Sequence, residues 1–570
     1  MMKRFGFITM LLTLLTVWSV SSQSLQVGGL MVDKDILMPN DMFELSQTQF
    51  NFGTARSMAM AGAFTSLGAD LSSMSINPAG LGMYRRNEIS ITPLMTFEQS
   101  KNSAANYGKN STNRFSVGNF GVLINAYEGS GALVSLNIGV GYNRLTDLNY
   151  NYSFQQTGNI VSMADMFSKQ LDYSGLKAND LMGDNLHWGN VSTGLWPAVL
   201  GYKTGLTDNP GSTGQWSPTW IGGNRTHEGI DIGQYATVES RGSVGEYTIS
   251  MGANINNKLY IGATLGILNV HQEKNYYYSE DYTYPGKSPV NPEGKADIPF
   301  QLLHSHLNQT SIVDGTGVNF KLGITYRPIK NLRIGVAVHT PTYYSLERKY
   351  QGAMASKSYS NDPAYKPGPD DYPKPDKNGY ILLDAESPVL VDDGSNRWSF
   401  ISPTRLLLGA SYTFGEFGLI SVDYERDWYN GIRMKDSPIG NKAMYNDTFS
   451  STFKGSNTLR IGLEIKPIPI LALRAGFGYS GSWLQDEGVI LSSPIAKQIT
   501  YYSAGIGVML SKYAVLDFAY HYQTDKMTGY NLFFADEYNK DGSLRSTNAS
   551  GAFTTDLNRH GVSVTLGFRF

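Results

Sequence analysis

The stretch HGVSVTLGFRF, His560 to Phe570, alternates along its length between two kinds of residue. One face is small or polar, and the other is apolar and ends in aromatic side chains. Such period-two alternation is typical of a β-strand whose two faces meet different surroundings. A soluble β-sandwich also contains strands of this kind, so one strand does not decide the fold. The apolar face consists of Val562, Val564, Leu566, Phe568 and Phe570.

The same alternation returns throughout the chain, for example in Leu332 to His339, Leu459 to Lys466 and Leu516 to Gln523. Each repeat is about as long as a tilted transmembrane strand, or longer. Extended to the whole chain, the pattern predicts about fourteen strands. Their expected spans are 87–99, 115–127, 132–156, 234–255, 258–282, 310–327, 330–347, 398–415, 416–432, 450–467, 468–485, 496–511, 512–530 and 553–570.

The connections between these strands alternate in length. Tight turns such as Glu128 to Gly131 and Arg327 to Asn331 alternate with long polar loops. Short turns on one side and long loops on the other are typical of outer-membrane barrels, whereas a soluble propeller or sandwich would not explain them. We therefore predict an all-β fold, a transmembrane antiparallel β-barrel of about 14 strands. The large external loops are expected near 157–233, 283–309, 348–397 and 531–552.

Composition and the first residues agree with an exported protein. The chain has no Cys and a net charge of −2, so neither disulfides nor a nucleic-acid partner are expected. Lys3 and Arg4 precede the short apolar run Phe5 to Trp18, and small residues up to Ser22 follow. This pattern predicts a signal peptide over 1–22, and export of a barrel predicts the outer membrane of a Gram-negative bacterium. The sequence assigns no role to the leader over 23–50.

A segment of small residues lies between this leader and the first strand. Thr54 to Arg86 consists largely of Ala, Gly, Ser and Met. It resembles the N-terminal segment of the FadL family of outer-membrane long-chain fatty acid and hydrocarbon transporters. The resemblance is strong over Phe52 to Thr96, and elsewhere it concerns topology alone. The positions that carry it are Gly53, Ala55, Arg56, Ser57, Gly62, Ala63, Asp70, Asn77, Pro78, Ala79 and Gly80.

The resemblance implies an architecture and a function. It implies an N-terminal hatch over 51–86 inside a barrel over 87–570, and transport of hydrophobic small molecules past a shifted hatch. It further implies sideways release into the membrane. Pro93 interrupts the first strand and suits a kink in the wall beside the hatch, or alternatively a simple bulge near the rim. Outer-membrane lipid, a hydrophobic ligand and a monomeric state are the partners and assembly expected.

The inward faces of the predicted strands are rich in glycine and carry charges of both signs. The glycines leave space that a packed segment or a solute could occupy. The charges form either a lattice of ion pairs that holds a plug or a charged selectivity path, and their mixed signs favour the lattice. The charged positions are Arg333, Arg405, Asp423, Glu425, Arg460, Glu464, Arg474, Asp517 and Arg569.

The first large loop contains apolar residues at helical spacing followed by two tryptophans. Such a helix would form an apolar capture groove above the barrel mouth, or it would cover a small core of the loop itself. The two interpretations have equal support in the sequence. The residues concerned are Ile160, Met163, Ala164, Phe167, Leu171, Trp188, Leu195 and Trp196.

Catalytic patterns are weak. His304 and His306 lack an evident third metal ligand, and Asp517 with His521 has no G-x-S-x-G serine to act on. No cofactor, no metal and no enzymatic activity are predicted, and an outer-membrane lipid enzyme is a distant alternative. A nearer alternative is a barrel that carries no solute and serves secreted proteins as a docking or shuttle partner. Its interface would be the Tyr-rich segment Tyr276 to Tyr284.

Overall fold

The computed structural model describes residues 39–47, 50, 53–102, 110–159, 162–181, 186, 188, 191, 193–208, 216–219, 231–284, 300–360, 381–387, 389–437, 442–486, 490–491, 495–530, 534–538, 544–549 and 554–570. The predicted signal peptide, most of the predicted leader and Ile160 lie outside these residues.

Fourteen long strands in these residues form one closed antiparallel sheet, which confirms the predicted fold class. Each strand pairs with its neighbours in the chain, and the last strand pairs with the first, with Glu88 opposite Arg569. The strands are β1 (Glu88–Asn102), β2 (Asn110–Glu128), β3 (Leu133–Asp147, continued by Tyr150–Asn159), β4 (Asp231–Ile255), β5 (Leu259–Thr283), β6 (Phe300–Ile329), β7 (Leu332–His339, continued by Tyr343–Ser360), β8 (Leu390–Ile401, continued by Arg405–Thr413), β9 (Gly418–Trp428, continued by Arg433–Asp436), β10 (Gly455–Ile468), β11 (Leu471–Ser480), β12 (Ala496–Met509), β13 (Ala514–Met527) and β14 (Thr555–Arg569).

The apolar face of the wall points outward. Ile89 and Ile91 of β1 are 45% and 49% exposed, whereas Ser90 between them is buried. The same holds on β4, where Ile249 is exposed and its neighbour Ser250 is buried. Apolar side chains outside and polar side chains inside are the arrangement expected when lipid surrounds the barrel.

Several predicted loop boundaries are wrong because the strands continue beyond the length that a membrane requires. β6 begins at Phe300, inside the predicted loop 283–309, and β7 reaches Ser360, inside the predicted loop 348–397. β4 likewise begins at Asp231, inside the predicted loop 157–233. The tall strands supply each other's ladder hydrogen bonds, and their Tyr and Thr residues favour extended structure. Two short paired strands, Phe534–Tyr538 and Leu544–Ala549, also lie within the predicted loop 531–552.

Helices are short and lie in the lumen or in the outer loops. In the lumen they are α1 (Pro39–Ser46), α2 (Ala55–Ala59), α3 (Ser73–Ile76) and a 3₁₀ turn (Pro78–Met83). In the outer loops they are α4 (Met163–Ser174), α5 (Trp196–Lys203) and α6 (Lys442–Thr452). We call α1 the leader helix and Gly53 to Arg86 the hatch. Among the described residues, every helix is too short or too polar to cross a membrane.

Candidate functional site

The hatch is a compact segment folded inside the barrel. α2 begins after Thr54, whose side chain accepts the N–H of Ser57, and the chain then turns through Gly62 in the left-handed region at φ 71°. Thr54 also donates to Asp70 at 2.8 Å, and Asp70 accepts the N–H of Ser72 at 2.9 Å. Asp70 therefore ties the start of the hatch to its middle, which gives this predicted site residue a structural role.

Asn77 and Pro78 join the hatch to itself and to the wall. The Asn77 amide donates to the Thr65 carbonyl at 2.6 Å, and its oxygen accepts the N–H of Ala79 at 3.1 Å. Pro78 occupies the first turn of the 3₁₀ helix, where a missing N–H costs no helical hydrogen bond. Gly80 packs against Gly68 so closely that a Cβ on it would lie 2.8 Å from the Gly68 Cα. The Asn-Pro-Ala-Gly sequence thus forms a tight, closed turn.

The wall glycines receive the hatch. A Cβ on Gly462 would lie 2.8 Å from the Met60 Cβ, and one on Gly505 would lie 2.5 Å from the Ala59 Cβ. No larger residue fits at these positions while the hatch stays in place. The same is true where the wall meets Thr65, Asn77 and Pro78, at Gly262, Gly323, Gly335 and Gly409.

Ion pairs connect the hatch to the inner wall. Arg56 Nε lies 3.3 Å from Glu464 Oε2, and its Nη1 donates to the Ala69 carbonyl at 3.2 Å. Arg474 donates to the same Glu464 at 2.7 Å and to Asp517 at 2.5 Å. Charges of opposite sign alternate along this chain of contacts, as in a lattice that holds a plug.

The remaining predicted lumen charges lie further around the wall. Asp423 accepts the backbone N–H of Thr65 at 2.7 Å, which fixes another part of the hatch. Arg460 pairs with Glu425, and Arg405 lies 3.4 Å from Asp427. Arg333 lies half-buried on the inward face of β7, and Arg569 pairs with Glu88 at 2.7 Å.

The wall has a register break beside the hatch. The ladder between β1 and β2 shifts at Thr92 and Pro93 and leaves Gly118 as a bulged residue. The ladder between β1 and β14 also omits Thr92 and Pro93. Instead, the Thr92 and Thr565 hydroxyl oxygens lie 2.7 Å apart, and Thr565 accepts the N–H of Ala55 at 2.7 Å. Pro93 therefore marks a stretch of wall with fewer backbone hydrogen bonds, in contact with the hatch.

Solved structures provide a comparison for this plugged barrel. The P. putida toluene transporter TodX is 14% identical over 92% of this chain and 99% of its own, with a TM-score of 0.47. A Pseudomonas aeruginosa FadL homologue is 13% identical over 94% and 99%, with a TM-score of 0.47. The CymD monoaromatic hydrocarbon channel is 14% identical over 92% and 99%, with a TM-score of 0.44. The chain is similar to these structures over most of its length, at low sequence identity. No protein-family model and no curated protein matches the chain.

The leader helix lies in the lumen above the segment that resembles the FadL family. Met42, Phe43 and Leu45 are buried almost completely. Sequence patterns do not predict this burial, because PNDMFELS has neither a long helical period nor a known motif. Its partners, among them Lys274 and Trp483, lie more than two hundred residues further along the chain.

The described residues of the predicted capture groove lie in a packed core rather than on an open surface. Met163, Phe167 and Leu171 of α4 are buried together with Trp196 of α5 and Tyr350 of β7. Trp188 packs against the same cluster, and Leu195 is half-buried. This arrangement favours a helix that covers the loop's own core, and the capture groove stays a prediction.

A buried carboxylate anchors α4 to the tall part of β5. Glu280 accepts hydrogen bonds from the Ser162 hydroxyl, from the Met163 N–H at 2.9 Å and from two tyrosines, Tyr278 and Tyr282. Ser162 is also the N-cap of α4, within a capping box. Burial raises the pKa of Glu280 above its ordinary value despite these donors. No feature of the sequence had singled out Glu280.

Two cavities border the hatch. A cavity of about 70 Å³ lies between the hatch and the leader helix, with Lys321, His339 and Glu425 in its wall. A cavity of about 540 Å³ opens on the side of the short turns, with Arg56 and Arg474 in its wall. The hatch contributes Gly53 and Gly62 to the first cavity and Arg56 and Ala69 to the second.

The histidines named as weak metal candidates have other partners. His304 Nδ1 lies 2.7 Å from Asp281 Oδ1, and the His306 ring stacks on Tyr277 with centroids 5.9 Å apart. His521 stacks on Tyr501. Within the described ranges, no three His, Asp or Glu side chains come together as a metal site.

Proposed function

We propose that this chain is a channel for hydrophobic small molecules of the long-chain fatty acid type in the outer membrane of a Gram-negative bacterium. The observation that carries the proposal is the glycine-lined wall fitted to the hatch. A permanently solid barrel would be filled by large side chains of its own wall. Here the wall glycines instead make room for a separate segment, the hatch. This room becomes a passage when the hatch shifts. The names of the similar structures, a toluene transporter and a monoaromatic hydrocarbon channel, agree with an apolar cargo.

We further propose that the hatch moves and that cargo leaves sideways through the wall at Pro93. A straight passage would take an apolar solute through the ion-paired layer around Glu425 and Lys321, where buried charges offer it no favourable contact. The wall at Pro93 has a bulged register on its β2 edge and no ladder pairing on its β14 edge, and it touches the start of the hatch. A small movement of Ala55 away from Thr565 would therefore open a gap towards lipid.

Uptake of radiolabelled oleate into vesicles that contain the purified barrel tests both proposals. Saturable uptake above that of protein-free vesicles supports the channel, and a folded barrel without it would overturn the proposal. Pro93→Val restores a ladder donor and should reduce the uptake rate severalfold. Pro341→Val, at the interruption of β7 and outside the contact between β1 and β14, is the matched control and should leave the rate unchanged. Equal uptake by wild type and Pro93→Val would rule out the sideways path.

A further inference from the structure

The leader helix occupies a pocket in the outer half of the lumen that has a cationic part and an aromatic part. The helix is eight residues long, and its side chains divide between these two parts. Asp41 and Glu44 face the cations, and Phe43 enters the aromatic part. We call the whole pocket the outer-lumen site.

The cationic part consists of Lys274 on β5 and Arg348 on β7. Lys274 Nζ lies 2.7 Å from Glu44 Oε2 and 3.2 Å from Asp41 Oδ1. Arg348 Nη2 donates to Asp41 Oδ2 at 2.8 Å. Burial by itself would raise the pKa of Asp41, but Lys274 and Arg348 outweigh it and hold the pKa below its ordinary value. Both cations are buried, so they would be left without a counter-charge if the helix moved out alone.

The aromatic part consists of side chains from the interruption of β9 and from the two outer loops that precede β10 and follow β11. The Phe43 ring lies 4.7 Å from Trp483, 4.9 Å from Tyr429 and 5.1 Å from Phe453, measured between ring centroids. Trp398 adds a fourth ring, under the Arg348 guanidinium at 5.2 Å. Ring pairs at these distances stabilise one another beyond the area they bury. An aromatic or alkyl group of another molecule would make the same contacts.

The fit of the leader helix leaves two polar atoms unsatisfied. The indole N–H groups of Trp398 and Trp483 are buried, and neither has a hydrogen-bond acceptor among the described residues. A buried donor without an acceptor destabilises the packing around it. The helix satisfies the cations and the rings but not these donors, so a ligand with further acceptor oxygens would bind the site more completely.

We propose that the outer-lumen site binds an amphiphile with a carboxylate head and an apolar body, and that the leader helix is its tethered competitor. The helix presents the same groups: carboxylates on Lys274 and Arg348, and an apolar ring among aromatic rings. A neutral hydrocarbon would leave the two cations unpaired and displaces the helix poorly. The proposal rests on the proposed function, since it gives that channel a first binding step in which the cargo displaces the leader helix.

A cysteine-labelling experiment tests the exchange. The chain has no cysteine, so Met42→Cys places a single, fully buried thiol on the leader helix. The full chain in phospholipid nanodiscs is treated with a maleimide, alone, with dodecanoate or with 1-dodecanol. Dodecanoate should raise the labelling rate about tenfold, because it shifts the helix out of the lumen. Dodecanol should have little effect. Leu45→Cys is a second reporter for the case that Met42→Cys does not fold.

Two further variants test whether the labelling response is specific to the leader helix and depends on the cationic part of the site. Met58→Cys, equally buried but in the hatch, should be labelled far more slowly than Met42→Cys with dodecanoate. Lys274→Met, combined with Met42→Cys, should abolish the response to dodecanoate. A leader thiol that stays protected at saturating dodecanoate, or one that responds equally to dodecanol, overturns the inference.

Oleate uptake by the same protein variants, reconstituted in vesicles, distinguishes the two proposals. Saturable uptake with a leader thiol that stays protected would leave the channel proposal standing and overturn the inference. A carboxylate-dependent increase in labelling without uptake would support the inference and overturn the channel proposal.

Discussion

The hatch and the leader helix fill the same lumen by different kinds of packing. The hatch places small residues and backbone against wall glycines, as where Met60 meets Gly462. The leader helix places large side chains against other side chains, as where Phe43 meets Trp483. Backbone packed on backbone has few alternative arrangements, whereas side chains rearrange by changing rotamers. The comparison indicates that the leader helix leaves its place more readily than the hatch does.

The largest expected effect concerns the leader helix. Phe43→Ala, made in the Met42→Cys chain, removes the ring from the aromatic part of the outer-lumen site and should weaken docking of the helix by about 3–5 kcal/mol. The thiol should then react with maleimide without any ligand, while the thermal unfolding of the barrel changes little. Asn113→Ala, exposed on β2, is the control and should leave the thiol protected. If Phe43→Ala also lowers the unfolding temperature of the barrel, the leader helix contributes to barrel stability as the hatch does.

A wall glycine under the hatch should have the next largest effect, and this effect should be global. A Cβ at Gly335 would overlap the Thr65 carbonyl oxygen, and overpacking of this kind costs about 1–3 kcal/mol. Gly335→Ala should therefore lower the temperature at which the barrel loses its heat-modifiable band on a gel. Gly131→Ala, in a turn with open space around the new Cβ, should leave this temperature unchanged. If both variants lose the band at the same temperature, the hatch does not pack tightly against Gly335.

Replacing Asn77 should have a local effect, confined to the hatch. Asn77→Ala removes the hydrogen bonds to Thr65 and Ala79 and leaves buried backbone groups unsatisfied, which costs about 1–3 kcal/mol. We expect faster hydrogen exchange in the hatch and unchanged exchange in the wall strands. Ser75→Ala removes the hydrogen bonds that its hydroxyl donates to Glu246 and accepts from Asn143, but it leaves the turn at Asn77 intact and should change exchange less. Uniformly faster exchange in hatch and wall would mean that the hatch does not move separately.

The smallest expected effect is a pH dependence in the outer loop. Because burial raises the pKa of Glu280, the folded loop binds this proton more tightly than the unfolded chain does. The loop should therefore gain stability as the pH falls towards the ordinary value of 4.5 and lose it as the pH rises through the raised pKa. Hydrogen exchange in α4 measures this, and Glu280→Gln should remove the dependence. Asp281→Asn, on the exposed side of the same strand, should retain it.

The wall could be predicted from the sequence because a period of two is a local property. The alternation from Leu332 to His339 gives the strand, its outward face and the inward position of Gly335 at once. The seat of the hatch could be anticipated in the same way, since small residues and inward glycines are both visible. The strand ends were harder to predict, because ladder hydrogen bonds beyond the membrane depend on neighbouring strands that are distant in sequence.

The outer-lumen site could not be predicted from the sequence. Phe43, Lys274 and Trp483 belong to three separate segments, and only the closed barrel brings them together. The leader helix is too short for its period to be significant. Glu280 is one charge in a Tyr-rich strand, and its role depends on where the N-terminus of α4 happens to lie.

The pairing of β14 with β1 has a consequence for how the molecule assembles. The backbones of Asn87 and Phe570 exchange two hydrogen bonds of 3.1 Å, so the seam joins residues at almost opposite ends of the chain. Contacts at such sequence separation form late, because a long loop must close first. Since the hatch directly precedes β1, closing this seam is also the step that encloses it. We expect a protease to cleave the hatch in newly made chains and to lose access to it when the seam closes.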